Sequence, residues 1–567
     1  MIVLFEGFQY PTDAVRKVLS DRYLDELTGP NRCRITHVGY VFDAPAVETP
    51  AAELAKREPV LLLPKVFVDA KKTVFGGLDP VELLDPDSKA WQQLKRDPHK
   101  AQFLFRFSVW LYRAIRQFRQ RHRDSILPES SGLLDVSDAG NAALSELEIV
   151  QALVRFHRDN SGLLTHIKRV NTAQRHSVSW GRTVARQQPV LQNGRPVYVK
   201  PLVKQKHINY DEELIVIFLS TLANLQQQYG FRLDLNPLYA RLSAREMARF
   251  QCDPARMVRR LRDIRGKYFS DKLLRVWQLL HLYYAKRERM HTQRSFREVL
   301  VIRDFNIVFE DMIDYMLSDP KDTLPTILKD QPDGKRVDHI YAYRDLIDGQ
   351  ADEIYHIGDS KYYGAGSAFG VESVFKQFTY ARNVIRQNID RTNGPGLPAP
   401  LRYRDELTEG YNPTPNFFIS ALVDDTLDFG HDGLRPRTTN ATFSNRHFAN
   451  RLFDRDTLLI QAYNINFLFV LNAYVAGSAV QRDTFRTHTR HLFRNRLVRH
   501  LNDTYQFWRV TPVNESLDTF VTRHFRQLLG KLYRPSGFTD ALLLALPKQD
   551  PFDVNSLNAR VDVYDLH

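Results

Sequence analysis

The sequence predicts a multi-domain α/β protein. Its 567 residues exceed what one hydrophobic core usually organises, and 43% of them are hydrophobic, so about three or four folded units are expected. Residues 337–363 contain two runs rich in β-branched and aromatic residues, joined by a polar turn, which predicts a pair of strands. Residues 305–317 carry apolar side chains at helical spacing, and residues 374–382 are interpreted as a second helix. Helices on both sides of a strand pair indicate a mixed α/β domain.

We divide the chain into four regions. Residues 1–100 mix short strand-like runs with proline-rich turns and are predicted to form a β-rich N-terminal module. Residues 101–300 are predicted to be largely helical and basic, and to bind DNA or a partner. Residues 301–480 contain the strand pair, and residues 481–567 are predicted to be a helical basic region.

Composition restricts the class of protein. The formal net charge of +13 suits a polyanionic partner, because neutralising phosphates supplies most sequence-independent affinity for nucleic acid. Cys33 and Cys252 are far apart, so neither a disulfide framework nor a structural zinc site is expected. The acid Glu6 interrupts the N-terminal apolar run, and the run at 467–475 is too short to span a bilayer. We therefore expect a cytoplasmic protein with no membrane partner.

Three charged residues mark the strand pair. Asp338 opens the first strand, and Asp359 and Lys361 lie near the end of the second. Because strand side chains alternate, residues two apart point to the same face. A charged pair inside an apolar strand is costly to bury without a ligand. Two carboxylates beside an ammonium suit a divalent cation and a phosphodiester, so these residues are the predicted catalytic site.

An acid followed about twenty residues later by Asp-x-Lys on a strand resembles the PD-(D/E)xK nuclease superfamily. The resemblance implies a restriction-endonuclease-like αβββαβ core with helical insertions, and a Mg²⁺ or Mn²⁺ cofactor. It implies that Asp338 and Asp359 bind the metal and that Lys361 positions water or stabilises the transition state. Asp333 follows Pro332, as the first acid of the superfamily often does, and remains the alternative to Asp338.

The same resemblance extends to neighbouring residues. In many members a glutamate from the first helix joins the metal site, and Glu310 lies beside the apolar stripe of the helix at 305–317. Relatives often carry a glutamine and a nearby tyrosine in the helix after the Asp-x-Lys strand, a pattern that Gln377 and Tyr380 resemble. The resemblance also implies the Ser360 carbonyl as a metal ligand.

A second likeness is more specific. The series Trp180-x-Arg182-Thr183, then Pro-Val-Tyr, then Asp-Glu-Glu-Leu-Ile at 211–215, is similar to the region ahead of the nuclease core in McrC-like subunits of McrBC-type and LlaJI-type restriction systems. The sequence segment at 450–459 is similar to LlaJI-family nucleases. Trp180 itself is interpreted as a packing residue. No Gly-x-x-x-x-Gly-Lys-Ser/Thr loop is present, so this likeness implies a separate McrB-like AAA+ GTPase or ATPase partner.

Two clusters of basic residues are predicted to contact double-stranded DNA. Both combine cations with nearby aromatic residues on predicted helices, which suits a nucleic-acid path. The predicted DNA-binding residues are Arg256, Arg259, Arg260, Arg262, Arg265, Lys267, Arg116 and Arg119.

The sequence thus predicts a metal-dependent DNA endonuclease subunit of a McrBC-like or LlaJI-like anti-phage restriction system. One alternative is a repair, recombination or transposition nuclease with the same core. A non-enzymatic alternative is a DNA-binding or assembly subunit whose nuclease site is vestigial.

Overall fold

A computed structural model provides the structure of the chain. It describes most of the 567 residues. The described residues are 2–26, 31–43, 59–85, 87–122, 134–136, 145–160, 166–171, 177–292, 297–320, 324, 337–348, 353–363, 370–392, 403–437, 442–445 and 450–567. Asp333, the alternative first acid, lies outside them.

The N-terminal part forms a five-stranded sheet completed by strands from far along the chain. Its order is β1-β6-β5-β12-β7, in which β12 pairs antiparallel with both β5 and β7. The first region therefore shares its sheet with residues near 300, while the proposed four-region division stays a prediction. A second sheet has the order β2-β4-β3. The elements are β1 Ile2–Phe5, β2 Gln9–Pro11, α1 Thr12–Arg16, β3 Leu24–Glu26, β4 Arg32–Ile35, β5 His37–Phe42, β6 Val60–Leu63, β7 Leu134–Val136 and β12 Glu298–Arg303.

The described residues between β6 and β12 are largely helical. The helix starts follow from local chemistry: the Asp97 carboxylate accepts from the backbone N–H groups of His99 and Lys100, and Pro98 occupies the first turn. Ser145 and Glu148 form a capping box at the next long helix. The elements are α2 Lys89–Arg96, α3 Pro98–Arg121, α4 Glu146–Asp159, β8 His166–Asn171, α5 Trp180–Arg186, β9 Val190–Gln192, β10 Arg195–Val197, β11 Val203–Ile208, α6 Glu213–Tyr229, α7 Ala244–Cys252, α8 Pro254–Ile264 and α9 Asp271–Thr292.

The central sheet has the order β13-β14-β15-β18-β16, and β17 also pairs with β18. The predicted strand pair is confirmed as the antiparallel pair β13 and β14, and β15 and β18 continue the sheet in parallel. The described residues thus give the succession α-β-β-α-β around the site, two strands rather than the predicted three before the second helix. The elements are α10 Asn306–Leu317, β13 His339–Arg344, β14 Glu353–Lys361, α11 Val371–Thr392, β15 Thr414–Leu422, β16 Arg435–Pro436, β17 Thr442–Asn445 and β18 Leu458–Asn466.

Helices cover both faces of this sheet. On one face, Ile357 and Phe418 pack in a core with Ala381 and Val384 of α11. On the other face, Phe417 belongs to the large core that contains the apolar stripe of α10. Alternation along the strands therefore decides which helix each side chain of β14 meets.

The C-terminal region differs from its prediction. It contains two helices, but it also forms a four-stranded sheet with the order β20-β21-β19-β22. The helical pattern of the basic run ends at Thr504, and a strand follows directly, because alternation of buried residues replaces the 3.6-residue period. The elements are α12 Phe467–Ala476, α13 Ala479–Thr504, β19 Tyr505–Pro512, α14 Leu517–Leu528, β20 Leu532–Tyr533, β21 Leu542–Pro547 and β22 Ala559–Tyr564.

None of the helices in the described part of the chain is both long enough and apolar enough to cross a bilayer.

Candidate active site

The two predicted metal-binding aspartates face each other across the β13–β14 pair. His339 pairs with Gly358, so the next step in this antiparallel register brings Asp338 opposite Asp359. The side chain of Asp359 is buried, that of Asp338 is partly exposed, and their carboxyl groups share a hydrogen bond. Burial, and then the charges of Asp359 and Glu310, raise the pKa of Asp338 well above its ordinary value. The strand pair therefore places two acids where they cannot both ionise without cost.

Lys361 lies beside this pair. Its ammonium group forms an ion pair with the Asp359 carboxylate, and only 12% of its side chain is exposed. Residue 361 is two positions after residue 359 on β14, so both side chains project from the same face. The ammonium also lies 5.4 Å from the centroid of the Phe418 ring. A largely desolvated cation is thus held next to the carboxylates.

Glu310 reaches the same cluster from α10. Burial and the nearby charge of Asp359 raise the pKa of Glu310 to about 7, while Lys361 and Lys376 act in the opposite direction. The Asn306 amide donates to the Glu310 carboxylate at 3.4 Å. The structure therefore brings together all three of the predicted acids that it describes, from a loop, a strand and a helix.

Lys376 belongs to the site although the sequence analysis did not select it. It lies on α11, which packs on the face of the sheet to which Asp359 points. Although burial alone would lower it, the hydrogen bond with Tyr380 and the charges of Asp338 and Asp359 raise the pKa of Lys376. The signal available in the sequence was its position, directly before Gln377 and one helical turn before Tyr380. The site therefore contains two lysines, one on a strand and one on a helix.

Gln377 is fully buried in the helix–sheet interface. Its amide donates to the Asn416 side chain at 3.3 Å, and Asn416 in turn donates to the Thr414 carbonyl at 3.0 Å. This chain of contacts ties α11 to β15. The catalytic role of Gln377 stays a prediction.

Ser360 points away from the acids. Its hydroxyl hydrogen-bonds Nε2 of the buried His339, whose Nδ1 lies 3.7 Å from an Asp314 carboxylate oxygen. The side chain is thus directed to the face opposite Asp359, as alternation requires. Only the Ser360 backbone carbonyl is relevant to a metal, and that role stays a prediction.

Close packing and a buried hydrogen bond fix the strand that carries Asp359 and Lys361. A Cβ atom on Gly358 would lie 2.0 Å from the Phe417 ring, so only glycine allows that ring to cover the strand. Immediately after Lys361, the Tyr362 hydroxyl donates to Glu6 at 2.6 Å and accepts from the Lys65 N–H at 3.1 Å. The end of β14 is therefore attached to the N-terminal sheet.

The acids do not form a ready-made metal cage. In the part of the chain that the structure describes, no group of three or more His, Cys, Asp or Glu side chains is arranged to hold a metal ion. Two acids are nevertheless enough for Mg²⁺, which usually keeps several waters and binds one or two carboxylates. The donor set, all hard oxygen, fits Mg²⁺ or Mn²⁺.

Most residues of the predicted basic cluster on α8 and after it are exposed. Several are paired with acids: Arg256 with Asp253 at 2.7 Å, and Arg260 and Lys267 with Glu213 at 2.9 and 3.1 Å. The Arg265 guanidinium lies 5.2 Å from the centroid of the Trp277 ring. Among the described residues, Arg259 and Arg262 are exposed and form no ion pair. The two residues best placed for a phosphate are therefore Arg259 and Arg262.

The two predicted arginines of α3 differ. Arg116 is paired with Glu148 of α4, and Arg119 is partly exposed.

The interpretation of Trp180 as a packing residue is wrong: 59% of Trp180 is exposed, whereas Thr183 is buried and donates to the Ser179 carbonyl at 3.0 Å. A side chain at the start of a short helix next to an exposed hairpin has little to pack against.

Comparisons with known proteins give one strong match. A family model described as LlaJI restriction endonuclease matches residues 97–393, slightly more than half of the chain. No match was found among curated proteins. Among solved structures, a chain from the refined half-complex of the tetradecameric assembly of Thermococcus gammatolerans McrB AAA+ hexamers with bound McrC aligns with 87% of this chain and 99% of that chain. The identity is 11% and the TM-score is 0.26.

Proposed function

Because the chain belongs to the LlaJI restriction endonuclease family, we propose that it is the metal-dependent nuclease subunit of a restriction system, with a PD-(D/E)xK-type site that hydrolyses phosphodiester bonds of double-stranded DNA. The observation that carries this proposal is the convergence of three carboxyl groups and two ammonium groups at the end of β14. Glu310, Asp338 and Asp359 repel one another in a partly buried place. Such an arrangement is unfavourable for folding alone, which supports a cationic ligand.

The residues present define roles for a metal. Asp338 and Asp359 would hold Mg²⁺ or Mn²⁺, with Glu310 and the Ser360 carbonyl as further oxygen donors. The ion, when bound, supplies charge neutralisation at the phosphate and a water of lowered pKa. Its charge would also offset the mutual repulsion that contributes to the raised pKa values of Glu310 and Asp338.

The two lysines would act on the phosphate. Lys361 is held by Asp359 and is largely excluded from solvent, so its positive charge is available to an attacking water or to the developing negative charge on phosphorus oxygens. Lys376, on α11, is close enough to Asp338 and Asp359 for their charges to raise its pKa. Two cations near an acidic pair favour an anionic substrate.

A separate AAA+ GTPase or ATPase is the proposed partner. The sequence contains no phosphate-binding Gly-x-x-x-x-Gly-Lys-Ser/Thr loop, so energy for movement along DNA would come from another subunit. The net charge of +13, together with exposed Arg259 and Arg262, supports DNA as the substrate. The cytoplasm is the proposed location.

The test is a cleavage assay on double-stranded DNA, with Mg²⁺ or EDTA and with or without a candidate AAA+ partner subunit. Wild-type protein should cleave only with the metal. Asp359→Ala should reduce the cleavage rate by about 10³-fold or more, since several kcal/mol of transition-state stabilisation depend on the metal. Asp503→Ala, which removes an exposed acid of α13, is the matched control and should cleave normally.

Equal cleavage by wild type and Asp359→Ala would remove the site assignment. Duplex binding with no cleavage under any of these conditions would favour the non-enzymatic alternative.

A further inference from the structure

A cavity of about 370 Å³ lies between α3 and α4, away from the acidic site. Its walls come from these two helices and from Phe231, which follows α6. Sites for small molecules usually have volumes of about 300–1,000 Å³, so one nucleotide-sized ligand fits this range. Neither the proposed metal site nor the basic cluster on α8 includes any residue of this cavity.

The floor of the cavity is aromatic. The Phe105 and Phe231 rings are buried, with centroids 4.7 Å apart and planes tilted by 45°, and they form an apolar wall. Trp110 lines the same cavity and is only partly buried. The Arg113 guanidinium lies 5.9 Å from the centroid of the Trp110 ring. Aromatic surfaces open to solvent are the platforms on which bases stack.

The rim of the cavity is cationic. Arg106, Arg155 and Arg158 all line it, against the single carboxylate of Asp159. Arg155 lies 3.7 Å from that carboxylate, which leaves the positive charge in excess. The Arg106 guanidinium is fixed 4.4 Å from the centroid of the Phe429 ring.

The Arg106 guanidinium lies near charges of both signs. Burial lowers the pKa of Arg106, the charge of Asp428 opposes this, and the charge of Arg158 adds a smaller lowering. An anion placed between Arg106 and Arg158 would offset the charge of both, and guanidinium groups bind phosphate by paired hydrogen bonds.

A polar side chain is also held at the rim. The Arg113 guanidinium donates to the Gln151 amide oxygen at 2.6 Å, which fixes the orientation of that amide. Side-chain amides held in this way can hydrogen-bond the edge of a base.

We propose that this cavity binds one nucleotide unit, with the base on the Phe105, Phe231 and Trp110 surface and the phosphate among Arg106, Arg155 and Arg158. The unit would be either a free nucleoside phosphate or a nucleotide of single-stranded or unstacked DNA. Only the DNA source depends on the proposed nuclease function; binding of a free nucleotide does not.

The test is isothermal titration calorimetry on the full chain, without metal and without the partner subunit. The probes are a nucleoside triphosphate, a nucleoside monophosphate, the same nucleoside without phosphate, inorganic phosphate alone and a short single-stranded oligonucleotide. Wild-type protein should bind a nucleoside phosphate more tightly than either the nucleoside or phosphate alone. Arg158→Gln should weaken binding by about tenfold or more, the loss expected for one charged hydrogen bond.

Two further variants keep the result interpretable. Trp110→Ala should weaken binding of nucleoside phosphates but leave the weak binding of inorganic phosphate unchanged, a split that misfolding would not produce. Arg526→Gln, which changes an exposed arginine of α14, is the matched control and should bind as wild type does.

The oligonucleotide identifies the source. If the oligonucleotide competes with the mononucleotide, and Arg158→Gln weakens the binding of both, the cavity binds a nucleotide of DNA. If the mononucleotide binds and the oligonucleotide does not compete with it, the cavity binds a free nucleotide. Absence of binding by every probe, or binding equal in wild type, Arg158→Gln and Trp110→Ala, would overturn the proposal. Because no cleavage is measured, either result is independent of the nuclease assay.

Discussion

The acidic site and the region around the basic helix α8 are both clusters of charge. The acidic site gathers like charges, whereas the region around α8 pairs opposite ones. At the site, Glu310, Asp338 and Asp359 lie together, and the pKa values of Glu310 and Asp338 rise. Beside α8, Glu213 of α6 binds both Arg260 of α8 and Lys267, which follows it. Although burial alone would raise it, these hydrogen bonds lower the pKa of Glu213.

The difference between these two arrangements distinguishes charged residues that stabilise the fold from charged residues that bind a ligand. Paired opposite charges at α8 need no further ligand, and they contribute modestly to stability. Like charges held together in a partly buried place destabilise the fold and are retained where a ligand of opposite sign binds. The gathering of three carboxyl groups with like charge, rather than the density of charge, therefore distinguishes the candidate active site from the paired charges around α8.

The largest expected effect is on catalysis at the acidic site. Lys361→Ala should reduce the rate of DNA cleavage by about 10²–10³-fold, because it removes a preorganised charge beside the reacting phosphate. Affinity for Mn²⁺ should not fall, since Lys361 donates no ligand to a metal. A cleavage time course with saturating metal measures the rate of DNA cleavage. An unchanged rate would mean that Lys361 only balances the charge of Asp359.

Stability as a function of pH tests the raised pKa of Glu310 in metal-free protein. Its folded-state pKa of about 7 exceeds the ordinary value of 4.5, so its contribution to stability is complete below pH 4.5 and is lost as pH rises through 7. Glu310→Gln, which stays neutral, should therefore raise the free energy of unfolding by about 1–2 kcal/mol at pH 8.5, since part of the side chain remains in contact with solvent.

Urea unfolding of both proteins at pH 5 and pH 8.5 measures this difference. At pH 5 the two free energies should be nearly equal. A variant less stable than wild type at pH 8.5 would contradict the repulsion described for this cluster.

The same change at Glu213 of α6, which pairs with the basic residues of and after α8, should have the opposite sign. Glu213→Gln removes a carboxylate that binds two cations, so it should lower the free energy of unfolding by about 0.5–1 kcal/mol at pH 8.5. Urea unfolding at low and high salt checks this, because screening should reduce the loss. If Glu310→Gln and Glu213→Gln both stabilised the protein, the acidic site and the region around α8 would not differ in the way described.

The smallest expected effect concerns DNA affinity. Arg259→Gln should weaken duplex binding several-fold and reduce the slope of log affinity against log salt by about one, as expected for one phosphate contact. Arg260→Gln is the matched comparison, because Arg260 is already paired with Glu213, and its effect should be smaller. Fluorescence anisotropy over a salt series distinguishes them. Equal effects would show that ion pairing does not decide which arginines meet DNA.

Much of the acidic site was predictable because it depends on local pattern. Alternation in residues 353–361 puts Asp359 and Lys361 on one face, and the antiparallel pairing of β13 with β14 brings Asp338 opposite Asp359. The helical period around Glu310 fixes the face of α10 that meets the sheet. These features need no information from distant parts of the chain.

Other features depend on contacts between distant residues. Lys376 enters the site only because of how α11 packs against β14 and β15, which no local period specifies. The pairing of β12 with β5 joins residues near 300 to residues near 40. At the C-terminus, the apolar run that forms β21 is too short to be distinguished from a buried helix by its pattern.

The most direct test of the central claim is a titration of the metal-free protein with Mn²⁺, followed by electron paramagnetic resonance of the free ion. Wild-type protein and Glu213→Gln should each bind Mn²⁺ at a site that Mg²⁺ displaces, and Asp359→Ala should lose that site. Equal Mn²⁺ binding by wild type and Asp359→Ala would contradict the assignment of the acidic cluster as the metal site.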